Sequence, residues 1–236
     1  MSVAVRSALF WLALVLITPP YALLALASAP LSRMARYRVI SGWSRIVLAC
    51  LRLVCGVRWR VEGREHLPKA PAVILAKHQS AWETLAFQQI FPPQVHVLKR
   101  ELLWLPFFGW GLALMSPIPI DRGRGLAALR QIARRGQRRL EQGFWVVVFP
   151  EGTRVKPGHR RRYQLGGAWL AAAADAPVVP VAHNAGRFWP RNSFLKYPGE
   201  VTVRIGPAID STGRAPEDIN ALAEMWIETQ QRTLDS

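Results

Sequence analysis

Three short runs constrain this chain most: Ala72-Val73-Ile74-Leu75-Ala76, Phe144-Trp145-Val146-Val147-Val148 and Val178-Val179-Pro180-Val181-Ala182. None offers a polar side chain to turn toward water, so each must be covered on both faces, as central strands of a parallel sheet are. Helical patterns lie between them. Trp82, Leu85, Ala86 and Phe87 begin one that Pro92-Pro93 closes, and Leu126, Leu129, Ile132, Ala133 and Leu140 mark core spacing along residues 125–142. Val57-Arg58-Trp59-Arg60-Val61 alternates like a partly exposed strand, and Val95-His96-Val97-Leu98-Lys99 is a further strand. Val201-Thr202-Val203-Arg204-Ile205 also alternates and is expected at a sheet edge. A helix over 215–234 closes the chain, with Ile219, Leu222, Met225, Trp226 and Ile227 facing inward. Strands alternating with helices predict an α/β fold: a mainly parallel central sheet flanked by helices.

Two of the apolar runs end in polar clusters, which would stand together at one edge of such a sheet. Lys77-His78-Gln79-Ser80-Ala81-Trp82-Glu83-Thr84 follows the first, and Phe149-Pro150-Glu151-Gly152-Thr153-Arg154 follows the second. Ser80 with Glu83 three residues on fits a capping box, in which Glu83 returns to its own helix N-terminus. Alternatively, Glu83 orients His78 so that the imidazole can take a proton from a hydroxyl. Within one helix, residues five apart point about 140° apart, so the pairing requires His78 before the helix and Glu83 in its first turn. In the second cluster Gly152 permits close backbone approach, Thr153 supplies a hydroxyl, and Arg154 can grip a phosphate with two N–H groups. His96 sits mid-strand without a matching carboxylate and reads as structural, and His183 reads as secondary.

The pattern His-x4-Asp followed by F-P-E-G-T-R resembles the glycerolipid acyltransferases, in particular the 1-acylglycerol-3-phosphate acyltransferase family. The likeness runs from about Val61 to Gly206, with Glu83 in place of the usual Asp and Lys77 in place of the common Asn. The family's K-x-E-L corresponds to Lys99, Glu101 and Leu102, and its Ile-containing strand ending in Arg to Ile118-Pro119-Ile120-Asp121-Arg122. Tyr163-Gln164-Leu165-Gly166 stands where relatives often have F-K-x-G, and Val178 to Val181 resembles the short V-P-[IV] motif.

The resemblance implies transfer of a fatty acyl group from acyl-CoA or acyl-carrier protein to the sn-2 hydroxyl of 1-acylglycerol 3-phosphate (lysophosphatidic acid), giving phosphatidate. His78 is then the general base with Glu83 as its partner. Lys99, Arg122, Glu151, Gly152, Thr153 and Arg154 form the substrate site, with Arg122 assigned to the phosphate. No cofactor and no metal are implied. No cysteine or paired serine is placed to form an acyl-enzyme, so direct attack of the hydroxyl on the thioester is expected. Arginines at these positions argue for a phosphate without showing what carries it, so glycerol 3-phosphate or a lyso-aminolipid is the alternative acceptor.

A net charge of +16 with ten Trp over 236 residues points to a polyanionic partner. An anionic membrane surface and nucleic acid both qualify on charge, which leaves a non-catalytic basic binding protein as the distant alternative. No nucleic-acid motif accompanies the arginines of 125–142, so nucleic acid is not the expected partner. Residues 8–31 are apolar apart from Ser, Thr and Tyr, long enough to cross a hydrocarbon core of roughly 30 Å. Pro19-Pro20 makes a kinked or re-entrant segment the alternative, and Ala27-Ser28-Ala29 resembles a signal-peptide cleavage box. Arg38, Arg45 and Arg52 then stripe one face of an otherwise apolar helix, either at a membrane interface or packed on the core with its arginines in solvent. Arginines on this side favour a cytoplasmic catalytic domain at the inner membrane. We expect residues 1–55 to be a membrane-associated helical pair and 56–236 the catalytic domain. The aromatic stretch 104–110 is either core or an acyl-chain channel or lipid contact. Cys50 and Cys55 are too far apart along one helix for a disulfide and suggest a reducing compartment.

Overall fold

The computed structural model describes residues 1–121 and 125–234. Among the described residues seven strands form one sheet in the order β1-β7-β6-β2-β5-β3-β4. These are β1 (Val57–Glu62), β2 (Val73–Ala76), β3 (Gln94–Lys99), β4 (Ile118–Ile120), β5 (Trp145–Val148), β6 (Val178–His183) and β7 (Gly199–Ile205). Every pairing is parallel except β6 with β7. The apolar runs behave as their composition demands: β2, β5 and β6 are buried along their whole length at the centre of the sheet. Val201-Thr202-Val203-Arg204-Ile205 departs from expectation. It lies inside the sheet between β1 and β6, and β1 takes the edge. Its alternation arises because Arg204 reaches Glu62 on the neighbouring strand at 2.8 Å, a polar position satisfied across the sheet rather than at a free edge.

Alternate residues of the central strands feed two cores. Val73, Leu75, Val146 and Val148 pack beneath helices α5 (Leu126–Glu141), α6 (Gly166–Ala174) and α8 (Pro216–Leu234). Ile74, Ala76 and Val147 pack on the other face against α3 (Trp82–Ile90) and the helices before the sheet. Two inward assignments fail. Leu126 is exposed because the buried stripe of α5 is Ala128, Ile132, Gly136 and Leu140, and Met225 is exposed because α8 turns Ala223, Ile227 and Gln231 inward.

Helix α1 (Val3–Ala27) runs on through both Pro19 and Pro20. Helix α2 (Arg33–Cys50) follows and ends in a π-turn, Leu51–Cys55. Both helices contribute to the cores, through Phe10, Val47, Leu48 and Leu51 on one side and Ala25, Tyr37 and Ile40 on the other. Helix α2 is packed on the protein, with its Arg38 and Arg45 exposed, as is Arg52 of the π-turn. The opposite side of α1 presents Leu12, Val15, Leu16 and Leu23, each more than half exposed. The aromatic stretch is not core either: Trp104 is 73% exposed, and Phe107, Phe108 and Trp110 are also exposed. Helix α4 (Phe108–Leu114) packs on α1, which brings the two apolar surfaces together. The remaining short helix is α7 (Ala185–Phe188). Both cysteines are free thiols.

Candidate active site

Leu75 of β2 pairs with Val148 of β5 in parallel register, so both strands end at the same level and release their polar clusters side by side. The backbone then laces the clusters together. The N–H of His78 donates to Glu151 Oε2 at 2.7 Å, and the N–H of Val155 donates to the His78 carbonyl at 2.7 Å. Gly152 closes the turn at φ 70°, a left-handed conformation that glycine adopts freely.

His78 lies before α3 and Glu83 in its first turn, as their pairing requires. His78 Nδ1 sits 2.8 Å from Glu83 Oε1. An ionised carboxylate only accepts, so Nδ1 carries the proton and Nε2 is left as the basic nitrogen. The ring lies flat on Phe149, with centroids 4.0 Å apart and planes 15° apart, which fixes its orientation. Glu83 Oε1 also accepts the N–H groups of Gln79 at 2.9 Å and Ser80 at 2.7 Å, while Ser80 Oγ accepts the N–H of Trp82 at 3.1 Å. Only the Glu83 half of the capping box forms, since Ser80 Oγ takes the Trp82 N–H, and that half shares one carboxylate oxygen with the His78 contact. Burial works against the Glu83 charge, but His183, His78 and the Ser80 N–H outweigh it and hold the carboxyl below the usual range.

A cleft of about 1200 Å³ opens over this arrangement. Its polar end is lined by His78, Lys99, Gly152, Thr153 and Arg154, with Arg161, Arg162 and Arg191 beside them. Its apolar end is walled by Ala25, Ile40 and Trp43 of the N-terminal helices, Phe107 and Phe108, and Leu129 and Ile132 of α5. Such a cleft suits a ligand with a charged head and an apolar tail. Among the sequence-derived site residues, His78 and Glu83 meet directly, while Lys99, Gly152, Thr153 and Arg154 share the cleft wall. Glu151 also touches the cleft, but its buried carboxylate is turned inward onto the His78 backbone and lies 2.8 Å from Lys77 Nζ. Arg122 lies outside the described residues. His96 also lines the cleft, and burial, reinforced by the His78 charge, pushes its imidazole down to about 4. A neutral His96 cannot donate two protons, and its Nε2 has no hydrogen-bond partner among the described residues.

Sequence reasoning missed a buried charged group beside the site. Lys77, fully buried, joins Glu151 to Glu228 of α8, and Tyr163 and Arg160 complete the set. The inward stripe of α8 carries Asn220 and Gln231 beside Ala223, Ile227 and Leu234, with Glu228 next to them, a mixture that local apolar spacing does not reveal. No group of His, Cys, Asp or Glu that could hold a metal ion occurs among the described residues. The arrangement can take a proton from a hydroxyl at a site with cationic and apolar ends.

The family model described as Acyltransferase matches residues 58–184, which include both polar clusters. The chain therefore belongs to the acyltransferase family, the resemblance that the two motifs carried together. It is 45% identical over 229 residues to the 1-acyl-sn-glycerol-3-phosphate acyltransferase of Pseudomonas aeruginosa, a match spanning 95% of this chain and 89% of that one. It is 33% identical over 183 residues to the human 1-acyl-sn-glycerol-3-phosphate acyltransferase alpha, spanning 76% and 65% respectively. Within the acyltransferases it belongs to the 1-acylglycerol-3-phosphate acyltransferase family. The crystal structure of the 1-acyl-sn-glycerophosphate acyltransferase of Thermotoga maritima has the same fold, with a TM-score of 0.80 over 98% of this chain and 95% of that one at 21% identity.

Proposed function

We propose that this enzyme transfers a fatty acyl group from a thioester donor, acyl-CoA or acyl-carrier protein, to the sn-2 hydroxyl of 1-acyl-sn-glycerol 3-phosphate, forming phosphatidate for phospholipid biosynthesis. The observation that carries the mechanism is the Glu83–His78 contact, which holds the ring proton on Nδ1 and leaves Nε2 as the base on the cleft. His78 Nε2 takes the hydroxyl proton as the oxygen attacks the thioester carbonyl. The thiolate leaves, and the proton can pass from the imidazolium to it. Direct transfer is favoured because Cys50 and Cys55 are not on the cleft and the Ser80 hydroxyl donates to the Trp189 carbonyl at 2.7 Å. Arg154 and Lys99 suit the acceptor phosphate, by the reach of a guanidinium fork and an ammonium, and the apolar end suits its acyl chain. Arg122 is proposed for the same phosphate on sequence grounds.

Membrane association is supported by α1, whose 25 residues are long and apolar enough to cross a bilayer, whose leucines are exposed, and on which α4 packs. Location at the inner membrane with the cleft toward the cytoplasm fits the arginines that follow α1 and the thioester donors. The deciding experiment is thiol release from acyl-CoA or acyl-carrier protein with lysophosphatidic acid, glycerol 3-phosphate and a lyso-aminolipid as acceptors. His78→Ala is expected to lower turnover by ~10²–10⁴-fold without loss of folding. A well-folded His78→Ala enzyme with near-normal turnover overturns the general-base assignment. Arg154→Ala should raise KM for the phosphate-bearing acceptor more than KM for the donor. The reverse pattern would exchange the two substrate ends.

A further inference from the structure

The charged group beneath the active site is built in one line. Lys77 leaves the end of β2 with its N–H on the Val181 carbonyl at 3.0 Å and its own carbonyl 2.9 Å from His183 Nε2. Its Nζ lies 2.8 Å from Glu151 Oε1, 2.8 Å from Glu228 Oε1 and 3.2 Å from the His159 carbonyl. The other oxygen of Glu151 accepts the His78 N–H at 2.7 Å. Glu228 is held in turn by the Tyr163 hydroxyl at 2.9 Å and Arg160 Nε at 3.1 Å. A line of contacts thus runs from α8 through Lys77 and Glu151 to the backbone of His78. Lys77 and Glu228 do not line the cleft, so neither is placed to touch substrate. Buried charges persist only when each has a partner, and removing one leaves the others uncompensated.

We propose that Lys77 is a positioning residue for acyl transfer: it clamps Glu151 against the backbone N–H of His78 and, through Glu228, ties that turn to helix α8. This rests on the acyl-transfer reading above. The clamp has a pH signature. Glu151 is faced by Lys77, Glu228, Tyr163 and the His78 turn, with Arg160 beyond Glu228. Burial outweighs the downward pull of the Lys77 charge and hydrogen bond and of the His78 N–H, and with the Glu228 charge adding to it the carboxyl is raised to about 7. Protonation of Glu151 removes the ion pair that holds it, so activity should fall as Glu151 takes up a proton. Loss of Lys77 must move that fall to higher pH. Loss of the Glu228 charge must move it to lower pH.

The test uses the full chain in vesicles, with kcat, both KM values, the pH profile and the melting temperature measured for each variant. Lys77→Met is expected to lower kcat by about tenfold or more, as a displaced catalytic group does, with both KM values little changed and the acid-side midpoint raised. Glu228→Gln is expected to lower kcat less and to lower the midpoint. Glu228→Gln keeps the Lys77–Glu151 pair, so it decides the matter if Lys77→Met does not fold. Midpoints that stay at the wild-type value in the folded variants overturn the clamp, as does a Lys77→Met enzyme whose loss lies wholly in KM. An inactive wild-type enzyme would instead count against the acyl-transfer reading, whereas an active one with unmoved variants counts against the clamp alone.

Discussion

Three N–H groups converge on one oxygen of Glu83, and its other oxygen has no hydrogen-bond partner among the described residues. Glutamine can keep those three hydrogen bonds through its carbonyl oxygen while removing the charge, so Glu83→Gln separates shape from charge. If the charge supports a protonated His78, this variant should fold and yet lose ~10²-fold or more of its turnover, in the manner of an Asp→Asn change in a hydrolase triad. Glu83→Asp should retain more activity than Glu83→Gln. A Glu83→Gln enzyme as fast as the parent would reduce the residue to its capping role. Stability carries a matching sign. The folded carboxyl is held below its unfolded value, near ~4.3 for a free glutamate. Its stabilising contribution is therefore complete above that value and disappears as pH falls through the lower folded one. The melting-temperature gap between parent and Glu83→Gln should accordingly shrink on acidification below about pH 4.

At the scale of elements, α1 serves two surfaces at once. Its buried side, with Phe10, Ala22 and Ala25, completes the protein cores, while its exposed side carries leucines with nothing protein-like to cover them. Removing residues 1–55 would therefore strip partners from Val57, Ile74 and their neighbours as well as remove the apolar surface of α1. Substitution of exposed side chains is the cleaner probe. Withdrawing a buried leucine from an apolar medium costs roughly 1.5 kcal/mol or more. Leu12→Asn, Leu16→Asn and Leu23→Asn together should reduce flotation with liposomes at least tenfold, with an unchanged melting temperature and nearly normal turnover on a short-chain soluble acceptor. Unchanged flotation would move the membrane contact to the aromatic stretch around Trp104 and Trp110.

The whole molecule adds a long-range term. A net charge of +16 sits on a protein that also exposes a large apolar surface, so under the proposed membrane association attraction to anionic lipid and insertion of leucines would act on the same encounter. Salt shortens the reach of charge to about 10 Å at 0.1 M but leaves apolar contact intact. Binding to vesicles rich in anionic lipid should weaken several-fold between low and high salt, and binding to uncharged vesicles should change little. Equal salt dependence on both would assign the arginines a role away from the lipid surface.

Local composition already determined the parallel sheet, because β2, β5 and β6 lack any polar face, and the two polar clusters at strand ends followed from that. The requirement that His78 precede its helix with Glu83 in the first turn was legible too, since it depends on residues five apart. What depended on distant chain did not show. The placing of β7 inside the sheet was decided by its partners β1 and β6, and alternation alone cannot distinguish an edge from a polar position satisfied by a neighbour. The exposed or buried fate of the aromatic stretch was settled by where α1 lay. The Lys77–Glu151–Glu228 contact joins residues as much as 151 positions apart, and no local pattern marks such a pairing. Its physical origin is tertiary: a lysine at the end of a central strand is stable without water only because two other elements deliver carboxylates to it.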